Sequence, residues 1–290
     1  MTAARIAAAP ISWGVCEVPG WGYQLPRERV LAEMREVGMV ATEFGPDGFL
    51  PEGPAECSAL LASYGLSAVG GFVTLVLHDP AVDPLPEAKR AVDRMVSAGA
   101  DVMVVAAVSG QEGYDQALEL DATGWATLLA NLGAVSALAG AAGVTMGLHP
   151  HVGTLVEGPD AVRRVLEGSS VNLCLDTGHL LIGGTDPLAL AREVPLRIVH
   201  AHLKDVDRDM AARVRDGCST YTSAVAAGMY KPLGQGDVGI AGVLSALEGA
   251  GYGGYYVMEQ DSILDAEPPP GGGPVADVRA SVAFLREALR

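Results

Sequence analysis

VTMGLHPHVGT (residues 144–154), VNLCLDTGHL (171–180) and LRIVHAHLKDV (196–206) are three short apolar runs. Each breaks off into side chains able to bind a metal or move a proton: His149 and His151, then Asp176 and His179, then His200, His202, Lys204 and Asp205. Five of the six histidines of the chain fall in this third of it. Buried strands that deliver polar groups at their C-terminal ends are how a parallel α/β barrel assembles an active site.

The rest of the chain repeats the pattern. Apolar runs over 5–11, 39–44, 67–77, 101–108, 144–148, 171–175, 196–203 and 254–258 are expected as strands. Helical periodicity fills 26–38, 55–64, 85–98, 121–142, 158–166, a short stretch from Asp186-Pro187, 238–249 and 275–289. Gly38, Gly65, Gly99 and Gly143 stand where helices should stop. Eight strands alternating with eight helices predict a parallel sheet closed on itself. The expected fold is therefore α/β, a single (β/α)8 TIM barrel domain over residues 1–290. An inserted loop or short helices are expected over 205–236, after strand seven, and the Gly- and aromatic-rich stretch 17–25 should lie across the top. The rival doubly wound sheet lacks its GxGxxG after strand one, and no P-loop spacing is found.

Composition narrows the function. The chain is 49% hydrophobic and 19% charged over 290 residues, enough for a large core. A net charge of −16 argues against nucleic acid and anionic membrane surfaces as partners. A small-molecule substrate is expected, with self-association into a homo-oligomer left open. Cys16, Cys57, Cys174 and Cys218 form no CxxC pair and are expected as free thiols in a reducing compartment. No signal peptide is read at the N-terminus, and no apolar run reaches the roughly 18 residues of a membrane span. A cytoplasmic protein is expected.

A divalent metal needs ligands converging from several elements. His149, Asp176, His202 and Glu259 end strands five, six, seven and eight, one residue per strand. Each alone has a plainer reading: a hydrogen-bonded histidine, a helix cap, an ion-pair partner. Four at consecutive strand ends point to a metal site. Two histidines and two carboxylates suit Mn²⁺, Co²⁺, Fe²⁺ or Zn²⁺ better than Mg²⁺ or Ca²⁺. His200 shares a strand face with His202 and is either an orienting residue or core.

The set APISWG, TEFGPDGF, HPHVGT, LDTGHL, HAHLKDV, GQGD and VMEQD, in this order, resembles the xylose-isomerase-like barrel family of sugar isomerases and epimerases. The resemblance covers essentially the whole chain. It implies one divalent metal, usually Mn²⁺ or Co²⁺, held at His149, Asp176, His202 and Glu259, with Zn²⁺, Fe²⁺ and Mg²⁺ as further candidates. Family epimerases carry Glu at the strand-five position; His149 here is instead similar to the branch that dehydrates keto-cyclitols such as 2-keto-myo-inositol. The implied activity is such a dehydration through an enediolate, or else an isomerisation or epimerisation at the same site. A non-catalytic sugar-binding barrel is the remaining alternative.

Acid–base chemistry would then fall to Glu259 or a free histidine as base, with His151, His179 and Lys204 for the acid or for substrate contacts. Lys204 and Asp205 have an alternative reading as a solvated pair. Trp13 either stacks on a substrate ring or fills the barrel. Glu43, His78 and Lys231 are the other substrate-binding candidates, and Asp237 a candidate to orient substrate or Lys231.

Overall fold

The computed structural model describes residues 5–111, 113–115 and 119–290. Eight parallel strands close a barrel: β1 (Ile6–Ala8), β2 (Ala41–Glu43), β3 (Ser67–Leu75), β4 (Val102–Ala107), β5 (Thr145–Leu148), β6 (Asn172–Asp176), β7 (Ile198–Leu203) and, after a two-stranded ladder formed by β8 (Asp205–Val206) and β9 (Tyr230–Lys231), β10 (Tyr256–Met258). The order around the barrel is β1-β10-β7-β6-β5-β4-β3-β2. The α/β barrel expected from the sequence is the observed fold.

The strands are short because each needs to cross only the barrel wall. Their residues alternate between two apolar environments. Ile6, Ala8, Ala68, Tyr256 and Met258 belong to the large core shared with the outer helices. Ala7, Ala9, Ala41, Val69 and Val257 form a separate small cluster from four neighbouring strands. Small residues there let the narrow interior fill without strain.

Two elements depart from expectation. The turn after β6 is a helix, Thr177–Gly183, capped by Asp176, whose Oδ1 accepts the Gly178 and His179 amides at 2.9 and 2.8 Å. The helix Ala122–Ala141 is long and apolar enough to cross a membrane by length and composition, although no such run was expected. In this fold its Leu128, Leu132, Val135 and Ala139 are buried, and it packs beside helix Leu85–Ala98 and β5. All four cysteines are free.

The segment after β7 carries the helices Arg208–Arg215 and Tyr221–Ala226 between β8 and β9. Asp205 fastens it. Its Oδ2 accepts the amides of Gly234 and Gly236 at 2.8 and 3.0 Å, and its Oδ1 accepts that of Val238 at 3.0 Å. Gly236 is required by this approach, since a Cβ there would lie 2.4 Å from Asp205 Oδ1. Asp205 is 1% exposed, so it is not half of a solvated pair with Lys204. Asp205→Ala would leave four amides without their acceptor, those of Val206, Gly234, Gly236 and Val238. We expect a loss of about 3 kcal/mol in urea unfolding; a change near zero would mean that water replaces the carboxylate.

Candidate metal centre and active site

The C-terminal ends of the strands open into a cavity of about 550 Å³. His149, His151, His202, Lys204, Glu259 and Asp261 line one side of it, and Glu43, Phe72, Tyr114 and Trp21 line others. Val15, Cys16, Glu17 and Trp21 line it as well. Trp21 is held by its indole N–H, which donates to the Ser262 carbonyl at 3.0 Å.

Strand register brings the four metal candidates together. Asp176 on β6 pairs in register with His202 on β7, which is flanked on its other side by Val257 of β10. His149 Nε2 lies 3.2 Å from Asp176 Oδ2. His202 Nδ1 lies 3.3 Å from Glu259 Oε2 and 3.7 Å from Asp176 Oδ2. Ligand bonds of about 2.0–2.2 Å set neighbouring donors roughly 3.0–3.6 Å apart in tetrahedral or octahedral shells. The observed spacings match that requirement. His202 Nδ1 makes no hydrogen bond despite its burial, as a nitrogen presenting a lone pair to a cation should. Asp176, His202 and Glu259 offer donor atoms within 4.8 Å of one another and so fit a single divalent ion, with His149 Nε2 at the edge of the set, 3.2 Å from Asp176.

Charge balance points the same way. Glu43, Asp176, Glu259 and Asp261 are all buried here, and Lys204 is the one buried lysine or arginine among the described residues. Burial alone would raise the Asp176 carboxyl, but the Lys204 ammonium, His179 and the imidazole contacts of His149 and His202 together more than offset it and hold the group well below the usual range. Burial likewise opposes ionisation of Glu259, and the charges of His202 and Lys204 bring it below its ordinary value. Desolvation would lower His202, yet Glu259 and Glu43 are among the groups that push it well above the ordinary imidazole range. The carboxylates thus favour positive charge at this point, as a proton or as a metal cation. Cys174 is adjacent, but burial pushes its thiol up to about 11, so it is a protonated core residue.

Glu43 lines the cavity and is bonded into this cluster. Its Oε1 accepts from His200 Nε2 at 2.8 Å and from His202 Nε2 at 3.0 Å. A proton fixed on His202 Nε2 leaves Nδ1 free to ligate. Burial would raise Glu43, but the charge of His202 and the two imidazole hydrogen bonds drive it far below the carboxylate range. His200 is thereby an orienting residue deep in the wall.

Lys204 is the hub of the remaining polar groups. Its Nζ lies 3.1 Å from Glu259 Oε2, 3.6 Å from Asp176 Oδ2, 3.0 Å from His179 Nε2 and 2.7 Å from Asp261 Oδ1. His151 and His179 stack with ring centroids 3.6 Å apart. Burial drives both imidazoles well below their ordinary range, so both are neutral. His151 Nδ1 donates to the Val152 carbonyl at 2.7 Å, which makes Nε2 the lone-pair nitrogen.

Three substrate candidates lie elsewhere. Trp13 is fully buried and its indole donates to Glu33 Oε2 at 2.8 Å, so it fills the barrel wall. His78 follows β3 by three residues and does not line the cavity. Lys231 donates to the Gly228 carbonyl at 2.7 Å, away from the site. Asp237 accepts the Arg208 amide at 3.0 Å and orients nothing in the cavity. Sequence reasoning missed Asp261 and Tyr221. Asp261 stood in the quoted VMEQD motif two residues after Glu259, which was its available signal.

An α/β barrel with a buried histidine–carboxylate cluster at its mouth defines an enzyme whose site could hold a metal ion. Residues 31–288 match the Xylose isomerase-like TIM barrel family, and the chain belongs to it. Inosose dehydratase of Geobacillus kaustophilus is 30% identical over 270 residues, covering 89% of this chain and 87% of that protein. The rhizopine catabolism protein MocC of Rhizobium meliloti is 32% identical over 266 residues, covering 89% and 81%. Among solved structures, the IolI protein with a bound zinc atom superposes with a TM-score of 0.71 at 13% identity, covering 98% of both chains.

Glu43→Gln tests the orienting role. Gln can present one acceptor but no charge, so metal affinity is expected to fall about 10- to 100-fold in competitive titration with Mn²⁺. Unchanged affinity would mean that His202 needs no fixed tautomer.

Proposed function

We propose that this chain is a metal-dependent hydro-lyase that dehydrates a keto-cyclitol, with 2-keto-myo-inositol (scyllo-inosose) as the leading substrate. One observation carries the reading: Asp176 Oδ2, His202 Nδ1 and Glu259 Oε2 converge beside Lys204, with His149 Nε2 against Asp176, at a cavity that His151 also lines. The similarity to proteins named inosose dehydratase supports the substrate class. Mn²⁺ or Co²⁺ is the proposed ion for these four ligands.

A divalent ion held there would polarise the substrate ketone and acidify the neighbouring C–H. His151 Nε2, the unprotonated nitrogen of a neutral ring, removes that proton. Lys204 stands against the Asp176–Glu259 edge, with an ammonium able to protonate the departing hydroxyl. Glu259 is engaged by both Lys204 and His202, which leaves it a ligand rather than the base. Phe72, Tyr114 and Trp21 supply the apolar walls against which the C–H faces of a ring pack.

Incubation with scyllo-inosose and Mn²⁺ is expected to produce a conjugated-enone absorbance, lost after chelation and restored by Mn²⁺. Glu259→Gln should lower the rate at least a hundredfold. Deuterium uptake from solvent without the absorbance would make the protein an isomerase or epimerase instead. Metal-independent binding with neither signal would leave only a sugar-binding barrel.

A further inference from the structure

The cavity wall holds a second polar layer that the metal cluster does not use. Asp261 splits its carboxylate: Oδ1 accepts from Lys204 Nζ at 2.7 Å, and Oδ2 accepts from the Tyr221 hydroxyl at 2.5 Å. Tyr221 in turn shares a hydrogen bond with the Tyr230 hydroxyl at 2.8 Å. The Lys204 ammonium lies over the Tyr230 ring, 5.6 Å from its centroid. Tyr221 is 1% exposed and Tyr230 4%, so water does not substitute for these contacts. Both tyrosines come from the segment that Asp205 fastens, whereas Asp261 follows β10. The chain therefore brings two distant segments together on one ammonium.

A lysine side chain has four rotatable bonds and a mobile charge. Here its course is fixed. Gly178 gives it room, because a Cβ at 178 would lie 2.6 Å from Lys204 Cβ. His179 Nε2 accepts one ammonium proton, Asp261 a second, and the Asp176–Glu259 edge faces the third.

We propose that Asp261 and Tyr221 are positioning residues that aim the Lys204 ammonium at the departing hydroxyl during elimination. This rests on the dehydratase reading above. In the first step His151 Nε2 takes the proton next to the ketone, and the C–H electron pair is left on the substrate. In the second, that pair becomes the new C=C bond as the neighbouring C–O bond breaks. The C–O pair leaves with oxygen, which takes a proton from Lys204 Nζ and departs as water. Lys204 regains its proton from solvent once product leaves. A misdirected ammonium would slow the second step and spare the first.

The test is the partition between the two steps. Tyr221→Phe and Asp261→Asn are assayed with scyllo-inosose and Mn²⁺ in D₂O, with bound metal measured for each variant. Enone formation is expected to fall at least tenfold, while deuterium appears in recovered substrate and metal content stays at the wild-type level. Asp261→Glu should recover part of the enone rate. Equal loss of enone and deuterium uptake, loss of metal, or unchanged enone formation would each overturn the positioning role. A wild-type enzyme inert in both readouts would instead remove the dehydratase reading itself.

Discussion

The mouth of this barrel must hold more negative charge than its own cations balance. Four carboxylates and a single lysine are buried within one shell, where uncompensated charge is costly. The fold meets that constraint by distribution. Asp176 gives one oxygen to two backbone amides and the other to His149, His202 and Lys204. Glu43 shares one oxygen between two imidazoles. Asp261 divides its two oxygens between an ammonium and a phenol. What remains is the Asp176–Glu259–His202 face, and a divalent cation there would neutralise it.

The LDTGHL turn shows how tightly local structure is tied to this arrangement. Asp176 caps the helix Thr177–Gly183 with the oxygen it does not turn toward the cluster. Thr177 Oγ1 accepts the Lys204 amide at 2.8 Å and donates to the Lys204 carbonyl at 2.7 Å, which fixes that backbone. Gly178 clears the path of the Lys204 side chain, and His179 accepts from its end. Four consecutive residues thus set one ligand and one ammonium. The capping geometry also explains why a helix begins at once after β6: two of its first amides are already satisfied by a buried carboxylate.

Legibility in the sequence followed the range of the interaction. Short apolar runs and Gly stops are local signals, and they located eight strands and most helices within a few residues. One residue per strand end, spaced by a βα unit, was enough to bring His149, Asp176, His202 and Glu259 to one place. The helix Thr177–Gly183 was hidden because its N-cap is also a cluster residue, and TGHL reads equally as a turn. Trp13 was ambiguous because its partner, Glu33, sits on the outer helix and gives no sign in the strand-one motif. His78 and Lys231 were chosen by residue type near expected loops, and neither lines the cavity. Asp261 and Tyr221 are 40 residues apart, and only the pairing of β10 with β7 brings their segments together.

The same logic explains why the segment after β7 begins where it does. Lys204 and Asp205 are adjacent, yet they face different tasks: one ends at the cluster, the other at the Gly234–Val238 turn. Successive residues of an extended chain point to opposite sides, so a single dipeptide can serve the cavity and the segment after β7 together. Displacing that segment would withdraw Tyr221 and Tyr230, and the Asp261 carboxylate would then lose its phenol while keeping its ammonium. Lys204 would remain buried beside three carboxylates, with its direction set by attraction alone. The segment therefore adds orientation to a charge that the barrel already retains.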